Sequence, residues 1–267
     1  MKGFAGWLSG LLMMAAASAG GAQEPIRLYA AGSLRVALTE VAAAFEKQEG
    51  IPVVKEFGAS GLLRERIEKG ERAEVFASAD MGHPQILNKA GRAAPVVMFT
   101  RNRLCALAAP EINVTSPNLL EVLLDPKVRV GSSTPKNDPS GDYTWAMFEK
   151  AEKLRSGAFA ALSEKALKLV GGADAPPPPK DRSVYTMLMA EKQADVFLTY
   201  CTNAILAVHE MPGLKIVQLP EALAVGADYG MTVMNGASEA AMRLSKFILS
   251  PAGQQILVKH GFSKPVP

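Results

Sequence analysis

From residue 26 onward the chain alternates short apolar runs with segments whose apolar residues recur every three or four positions, and few architectures accept that rhythm. The run 26–31 (IRLYAA) reads as a strand. The segment after Ser33 puts Leu34, Leu38, Val41 and Phe45 on one helical face and stops at Gly50. A second strand is predicted at 52–57 (PVVKEF), then a short helix after Ser60 with Leu63 and Ile67 inward and Gly70 as its end. Residues 74–78 (EVFAS) read as a third strand, and Asp80 is placed to cap the next turn. Strands apolar on both faces, each followed by an amphipathic helix, indicate parallel sheets covered by helices, an α/β protein.

The middle of the chain continues the scheme. Residues 95–108 (PVVMFTRNRLCALA) are long for one strand and read as a passage between two domains. Further strands are predicted at 128–131, 194–200 (ADVFLTY) and 214–219. Helices are predicted at 143–154, where Tyr143, Met147 and Ala151 recur at steps of four, and at 184–192, 238–249 and 251–260. The segment 173–180 (ADAPPPPK) reads as a surface connection, because four successive prolines lack donors and fix an extended chain.

Composition trims the options. With 48% hydrophobic and 21% charged residues in 267, the chain has the make-up of a soluble globular protein and not of a disordered one. The balance of 29 basic against 26 acidic residues, evenly spread, gives no footprint for nucleic acid or an acidic membrane. Two cysteines cannot build a disulfide scaffold or a cysteine-only zinc site, and His83, His209 and His260 lack ligand spacing. No metal cation and no cofactor are expected.

Residues 1–22 read as a secretory signal peptide: Lys2, an apolar run from Phe4 to Ala17, then small residues to a cleavage site after Ala22, with Ala19 as the alternative. The run is well short of the roughly 20 apolar residues a spanning helix needs. No cysteine lies near the cleavage site, so no lipid anchor is expected, and a freely diffusing exported chain points to the Gram-negative periplasm. In that oxidising compartment Cys105 and Cys201 are either a disulfide or two small buried apolar residues, and their positions in the sequence do not choose.

Three junctions place Gly and Ser between a strand and a helix: Ala31-Gly32-Ser33, Gly58-Ala59-Ser60-Gly61 and Asp138-Pro139-Ser140-Gly141. Unpaired N–H groups, the positive end of the helix dipole and a hydroxyl can together hold an anion without a charged side chain. Taken singly, each serine is more simply an N-cap; taken together, such junctions converge on the crevice where open α/β sheets bind ligands. Gly58-Ala59-Ser60-Gly61-Leu62 misses the second glycine of a nucleophile elbow, and neither a phosphate loop nor GxGxxG is present. Tyr143 and Tyr229 are most simply core or boundary aromatics.

The run Ala30-Ala31-Gly32-Ser33-Leu34, the stretches Phe57-Gly58-Ala59-Ser60-Gly61, 73–80 (AEVFASAD) and 195–200 (DVFLTY), and the ending 250–262 (SPAGQQIL…HGF) occur in one order. Together they make the chain resemble the periplasmic molybdate-binding proteins of ABC importers over about residues 26–262. The resemblance implies a two-lobed type II periplasmic binding protein fold, each lobe a mostly parallel sheet flanked by helices, with the ligand in the interdomain cleft. It implies one domain from 23–101 plus 221–267 and a second from 102–220. Its ligand set carried over here is the hydroxyl and N–H of Ser33 and Ser60, the N–H of Ser140, backbone near Arg182, and the Tyr200 hydroxyl. Arg182 departs from the family, which usually has a neutral residue there; facing the cleft, it would add a charged fork suited to an oxyanion.

The function implied is capture of molybdate, with tungstate as an alternative, by a monomer that delivers it to an ABC-type permease in the inner membrane, without catalysis. Molybdenum or tungsten would enter only as a bound oxyanion. Two other readings are a binding protein of the same fold for a different oxyanion or small organic anion, and a serine hydrolase using Ser60.

Overall fold

The protein is described by a computed structural model over residues 24–175, 179 and 182–265. The expected signal peptide lies outside the described residues, as do Pro176, Pro177 and Pro178 of the expected surface connection.

The first half contains β1 (Ile26–Ala31), α1 (Arg35–Glu49), β2 (Val53–Gly58), α2 (Ser60–Glu68), β3 (Val75–Ala77), α3 (Gly82–Lys89), β4 (Val97–Ala108), α4 (Leu119–Leu124) and β5 (Val130–Ser133). The second contains α5 (Pro139–Leu154), α6 (Ala158–Lys165), β6 (Leu167–Val170), α7 (Val184–Ala190), β7 (Val196–Tyr200), α8 (Cys201–Glu210), β8 (Lys215–Gln218), β9 (Gly226–Val233), α9 (Glu239–Leu249) and α10 (Pro251–Lys259). Among the described residues the strands run in the order β2-β1-β3-β9-β4-β7-β5-β6, with β8 also paired to β4. The pairings of β1 with β2 and β3, and of β5 with β6 and β7, are parallel. The antiparallel pairings all involve β4 or β9.

The two halves of the sheet meet on β4. Its residues up to Arg103 pair with β9, and from Leu104 they pair with β7. Apolar cores follow the same partition. Leu28, Leu38, Val41, Phe45 and Val75 pack with Leu244 and Ile248 on one side, while Val130, Met147, Phe148, Val196 and Leu198 pack on the other.

Local sequence explains the elements that carry the cleft. In α1, Leu38, Val41 and Phe45 are buried as the spacing predicts, and Gly50 ends the helix at φ 71° while its N–H donates to the Glu46 carbonyl. In α2, Leu63 and Ile67 face inward. The Asp80 carboxylate accepts the His83 N–H at 3.1 Å and so closes the turn that leads into α3, whose own N-cap position is Met81.

Several elements differ from the sequence expectation. Helix α5 begins at Pro139, four residues before the expected start, so Asp138-Pro139-Ser140-Gly141 is a helical first turn: Asp138 caps it and proline occupies its opening position. The stripe of Tyr143, Met147 and Ala151 marks only its later part. Strand β9 was not expected at all. Its Gly230 lies so close to the turn before α3 that an added Cβ would sit 3.0 Å from the Asp80 carbonyl, and a strand carrying such a glycine gives a weak strand signal. Elements α4, α6, β6 and α8 were likewise not anticipated.

Cys105 of β4 and Cys201, the first residue of α8, form a disulfide that joins positions 96 residues apart, which decides the alternative left open by the sequence. The bond lies directly after Tyr200 and fixes the end of β7 against the crossing strand. Because it closes so long a loop in the unfolded chain, replacing both cysteines by alanine is expected to lower stability by about 2–5 kcal/mol, read as a shifted urea midpoint with an intact circular dichroism spectrum.

Candidate functional site

A cavity of about 520 Å³ opens between the two halves of the sheet. On one wall stand the β1–α1 junction with Ser33 and Arg35 and the β2–α2 junction with Ser60; on the other stand Asp138, the start of α7 from Arg182 to Tyr185, and Tyr200 with the first turns of α8. Four of the five residues expected from the sequence therefore share one cavity: Ser33, Ser60, Arg182 and Tyr200. Ser140 is buried behind the wall, and its N–H donates to the Asp138 carboxylate at 3.0 Å. The residue of that turn that reaches the cavity is Asp138.

The hydroxyls can be followed donor by donor. The Asn102 side-chain amide donates to Thr202 Oγ1 at 2.9 Å and to the Tyr229 hydroxyl at 3.2 Å. The Tyr229 hydroxyl and Ser33 Oγ share a hydrogen bond at 2.9 Å in which either oxygen can be the donor, and the arrangement with Tyr229 donating is the one that frees the Ser33 proton for the cavity. Ser60 Oγ accepts the Ala79 N–H at 3.1 Å and keeps its proton to donate. Tyr200 donates to the Ala79 carbonyl across the cleft at 3.4 Å, so its proton is engaged within the protein. Burial holds both Tyr200 and Tyr229 well above the usual phenol range, so both remain neutral donors at physiological pH.

Three charged groups complete the walls. Arg35 is half-buried, its guanidinium lies 4.9 Å from the centre of the Phe57 ring, and among the described residues no carboxylate pairs with it. Burial pulls its pKa down. Arg182 is exposed at the rim. The Asp138 carboxyl is pushed up to about 6, first by burial, against the lowering effect of the Ser140 N–H and with Asp142 and Asp80 adding negative charge. Lys259 and His260, farther out, are both engaged by Glu40 at 2.7 Å.

The walls already touch at one end. The Gly61 N–H donates to the Asn137 carbonyl at 2.8 Å, and a Cβ on Gly61 would lie 2.5 Å from the Lys136 carbonyl, so this approach requires glycine. Among the described residues no group of three His, Cys, Asp or Glu could hold a metal ion, and no helix is long and apolar enough to cross a membrane.

The family model for bacterial extracellular solute-binding proteins matches residues 26–263. The chain belongs to that family. An uncharacterised protein of Pasteurella multocida is 35% identical over 238 residues, covering 89% of this chain and 98% of the relative. The molybdate-binding protein ModA of Escherichia coli is 26% identical over 251 residues, 89% of this chain and 88% of that one. Among solved structures, the sulfate-binding protein SubI of Mycobacterium tuberculosis superposes with a TM-score of 0.76 at 18% identity, over 92% of this chain and 88% of its own. The fold is the type II periplasmic binding protein fold, and the family is one of substrate-binding components of transport systems.

Sequence reasoning did not reach Asn102, Thr202 or Arg35, treated Tyr229 as a plain core aromatic, and saw Asp138 only as part of a loop motif. A signal existed for Asp138: Asp followed by Pro and Ser is an N-cap pattern ahead of an amphipathic stripe. Because the native carboxyl is raised, Asp138 binds its proton more tightly in the folded state, so its contribution to stability falls as pH rises from about 4 through about 6. The Asp138→Asn variant is expected to gain stability over the wild type across that window and to hold the gain above it, as measured by urea titration at a series of pH values. A constant difference at all pH values would contradict the raised carboxyl.

Proposed function

We propose that this protein captures a small anionic solute in the cleft and delivers it to an ABC-type permease, acting in the periplasm after removal of residues 1–22. The supporting observation is the pair of serines at strand–helix junctions, Ser33 hydrogen-bonded to the Tyr229 hydroxyl and Ser60 accepting the Ala79 N–H with its own proton left to donate, both lining the cavity. Neutral donors at helix starts, with the unpaired Arg35 guanidinium beside them, favour an oxyanion head group. Residues 23–101 with 221–267 and residues 102–220 act in this reading as two bodies that close on the solute. The protein works in this reading as a monomer and as a binding component without catalysis; Ser60 Oγ accepts the Ala79 N–H, and among the described residues no histidine is hydrogen-bonded to it.

Capture of molybdate or tungstate is the first of two readings of the solute, supported by the likeness to a molybdate-binding protein at 26% identity. In that reading Tyr200 and the Ser140 N–H must exchange their present partners, the Ala79 carbonyl and the Asp138 carboxylate, for the ligand. A different oxyanion or a small organic anion is the second reading. It is favoured by Asp138, a carboxylate on the wall of a site meant for negative charge, and by Arg182 at the rim.

Thermal unfolding with molybdate, tungstate, sulfate, phosphate and small organic anions tests the reading. A micromolar binder at millimolar concentration stabilises the native state by about 4 kcal/mol, a plain upward shift in Tm. Ser33→Ala is expected to weaken the binding anion by about 1–3 kcal/mol, because it removes one hydrogen bond to a charged group. No shift with any anion would reject anion capture.

A further inference from the structure

Asp138 is an unusual group to find in such a cleft. Its Oδ1 accepts the Ser140 N–H, and its Oδ2 lies against Gly171, where a Cβ would come within 2.7 Å of it. Apart from that N–H and the neighbouring Ser133 hydroxyl it has no polar support, and among the described residues no lysine or arginine pairs with it. The same cavity holds Arg35, a half-buried cation with no carboxylate in ion-pair contact among the described residues, Glu56 acting on it only from farther away. A fully deprotonated tetrahedral dianion gains from Arg35 and the serines but meets a like charge at Asp138, in surroundings that screen it poorly. An anion that brings its own O–H turns that repulsion into a charge-assisted hydrogen bond.

The size of the cavity points the same way. A five-atom oxyanion takes up the room of only about three waters, roughly 90 Å³. The cavity measures about 520 Å³, within the range of sites for small organic molecules, although its walls already meet through Gly61 and Asn137. Beyond the polar end its lining turns aliphatic, with Val36 on one wall and Ile205 on the other, both substantially exposed.

We infer that Asp138 is the specificity-determining residue of the cleft, and that the solute is an organic anion whose alcohol hydroxyl donates to it, as that of a hydroxylated phosphate ester or a hydroxy acid does. The inference rests on the anion-capture reading above. Asp138 accepts the donor, Arg35 and the two serines hold the anionic group, and the aliphatic section takes the carbon body. Inorganic oxyanions without a proton are excluded by the carboxylate.

Calorimetry at about pH 8, above the Asp138 carboxyl range, tests it with molybdate and sulfate as probes lacking a donor and glycerol phosphate and malate as probes bearing one. Asp138→Asn replaces the charge but keeps an N-cap, and Asp138→Ser keeps a cap with a shorter side chain, so a folded variant is at hand. The result expected is that Asp138→Asn raises affinity for molybdate or sulfate about tenfold or more and lowers affinity for whichever donor-bearing probe the wild type prefers by a similar factor. Molybdate or sulfate bound by a variant but by no measurable amount to the wild type supports the exclusion equally. Wild type and Asp138→Asn binding the inorganic oxyanions alike, with binding lost in Ser33→Ala, would overturn the role of Asp138 and leave anion capture standing. No probe bound by the wild type or either variant would overturn both.

Discussion

One short chain of hydrogen bonds joins the parts of this molecule. Asn102 on the crossing strand β4 donates at once to Thr202 at the start of α8 and to Tyr229 on β9, and the Tyr229 hydroxyl is hydrogen-bonded to Ser33. All but Ser33 are buried, so a missing partner would leave an orphaned donor or acceptor at substantial cost. The network therefore does two things together. It holds the two halves of the sheet in register where β4 changes partners, and it fixes the position of the Ser33 hydroxyl at the cavity wall. The aromatic packing of Tyr229 on Tyr200, Phe99 and Phe262 keeps the phenol in place.

The disulfide reinforces the same region from the other side. Cys105 sits beside Leu104, the first residue of β4 that pairs with β7, and Cys201 follows Tyr200. Tyr200 and Thr202 are thus held by a covalent bond between their helix start and the strand that carries Asn102. Rigid placement of these groups matters for a site built from hydroxyls, since a donor displaced by about 1 Å gives up much of a hydrogen bond.

Much of the first lobe was legible in the sequence because its signals are local. The 26–31 strand, the stripe of Leu38, Val41 and Phe45, and the stop at Gly50 each need only a few neighbouring residues. The crossing strand β9 was hidden because Gly226 and Gly230 weaken its pattern, and the reason for Gly230 is a contact with the Asp80 carbonyl about 150 positions earlier in the chain. The start of α5 was missed because Asp-Pro-Ser-Gly serves equally as a turn and as a capped first helical turn, and only packing decides. Ser33, Ser60 and Tyr200 could be expected at one cavity from the sequence because they lie at strand–helix junctions. Arg35 and Asn102 could not, because an arginine opening an amphipathic helix and an asparagine between two arginines carry no local mark of what they face.

The balance of charge in the cleft is where sequence likeness and geometry part company. Neutral hydroxyls and helix starts suffice for an oxyanion, and they are common to the first two junctions of this chain. An N-cap needs only an acceptor, so serine or asparagine at 138 would cap α5 as well as aspartate. The carboxylate at that position is not required by the helix, and it stands partly desolvated, with a raised pKa and two further acidic neighbours, at a cost to stability that a neutral cap avoids. A residue whose structural task could be done more favourably by a neutral one, and which faces the cavity, is better explained by what enters the cavity than by the fold. Arg35, unpaired on the same wall system, is the complementary half: left alone, each charge is unfavourable, and a solute with an anionic group and a donor relieves both.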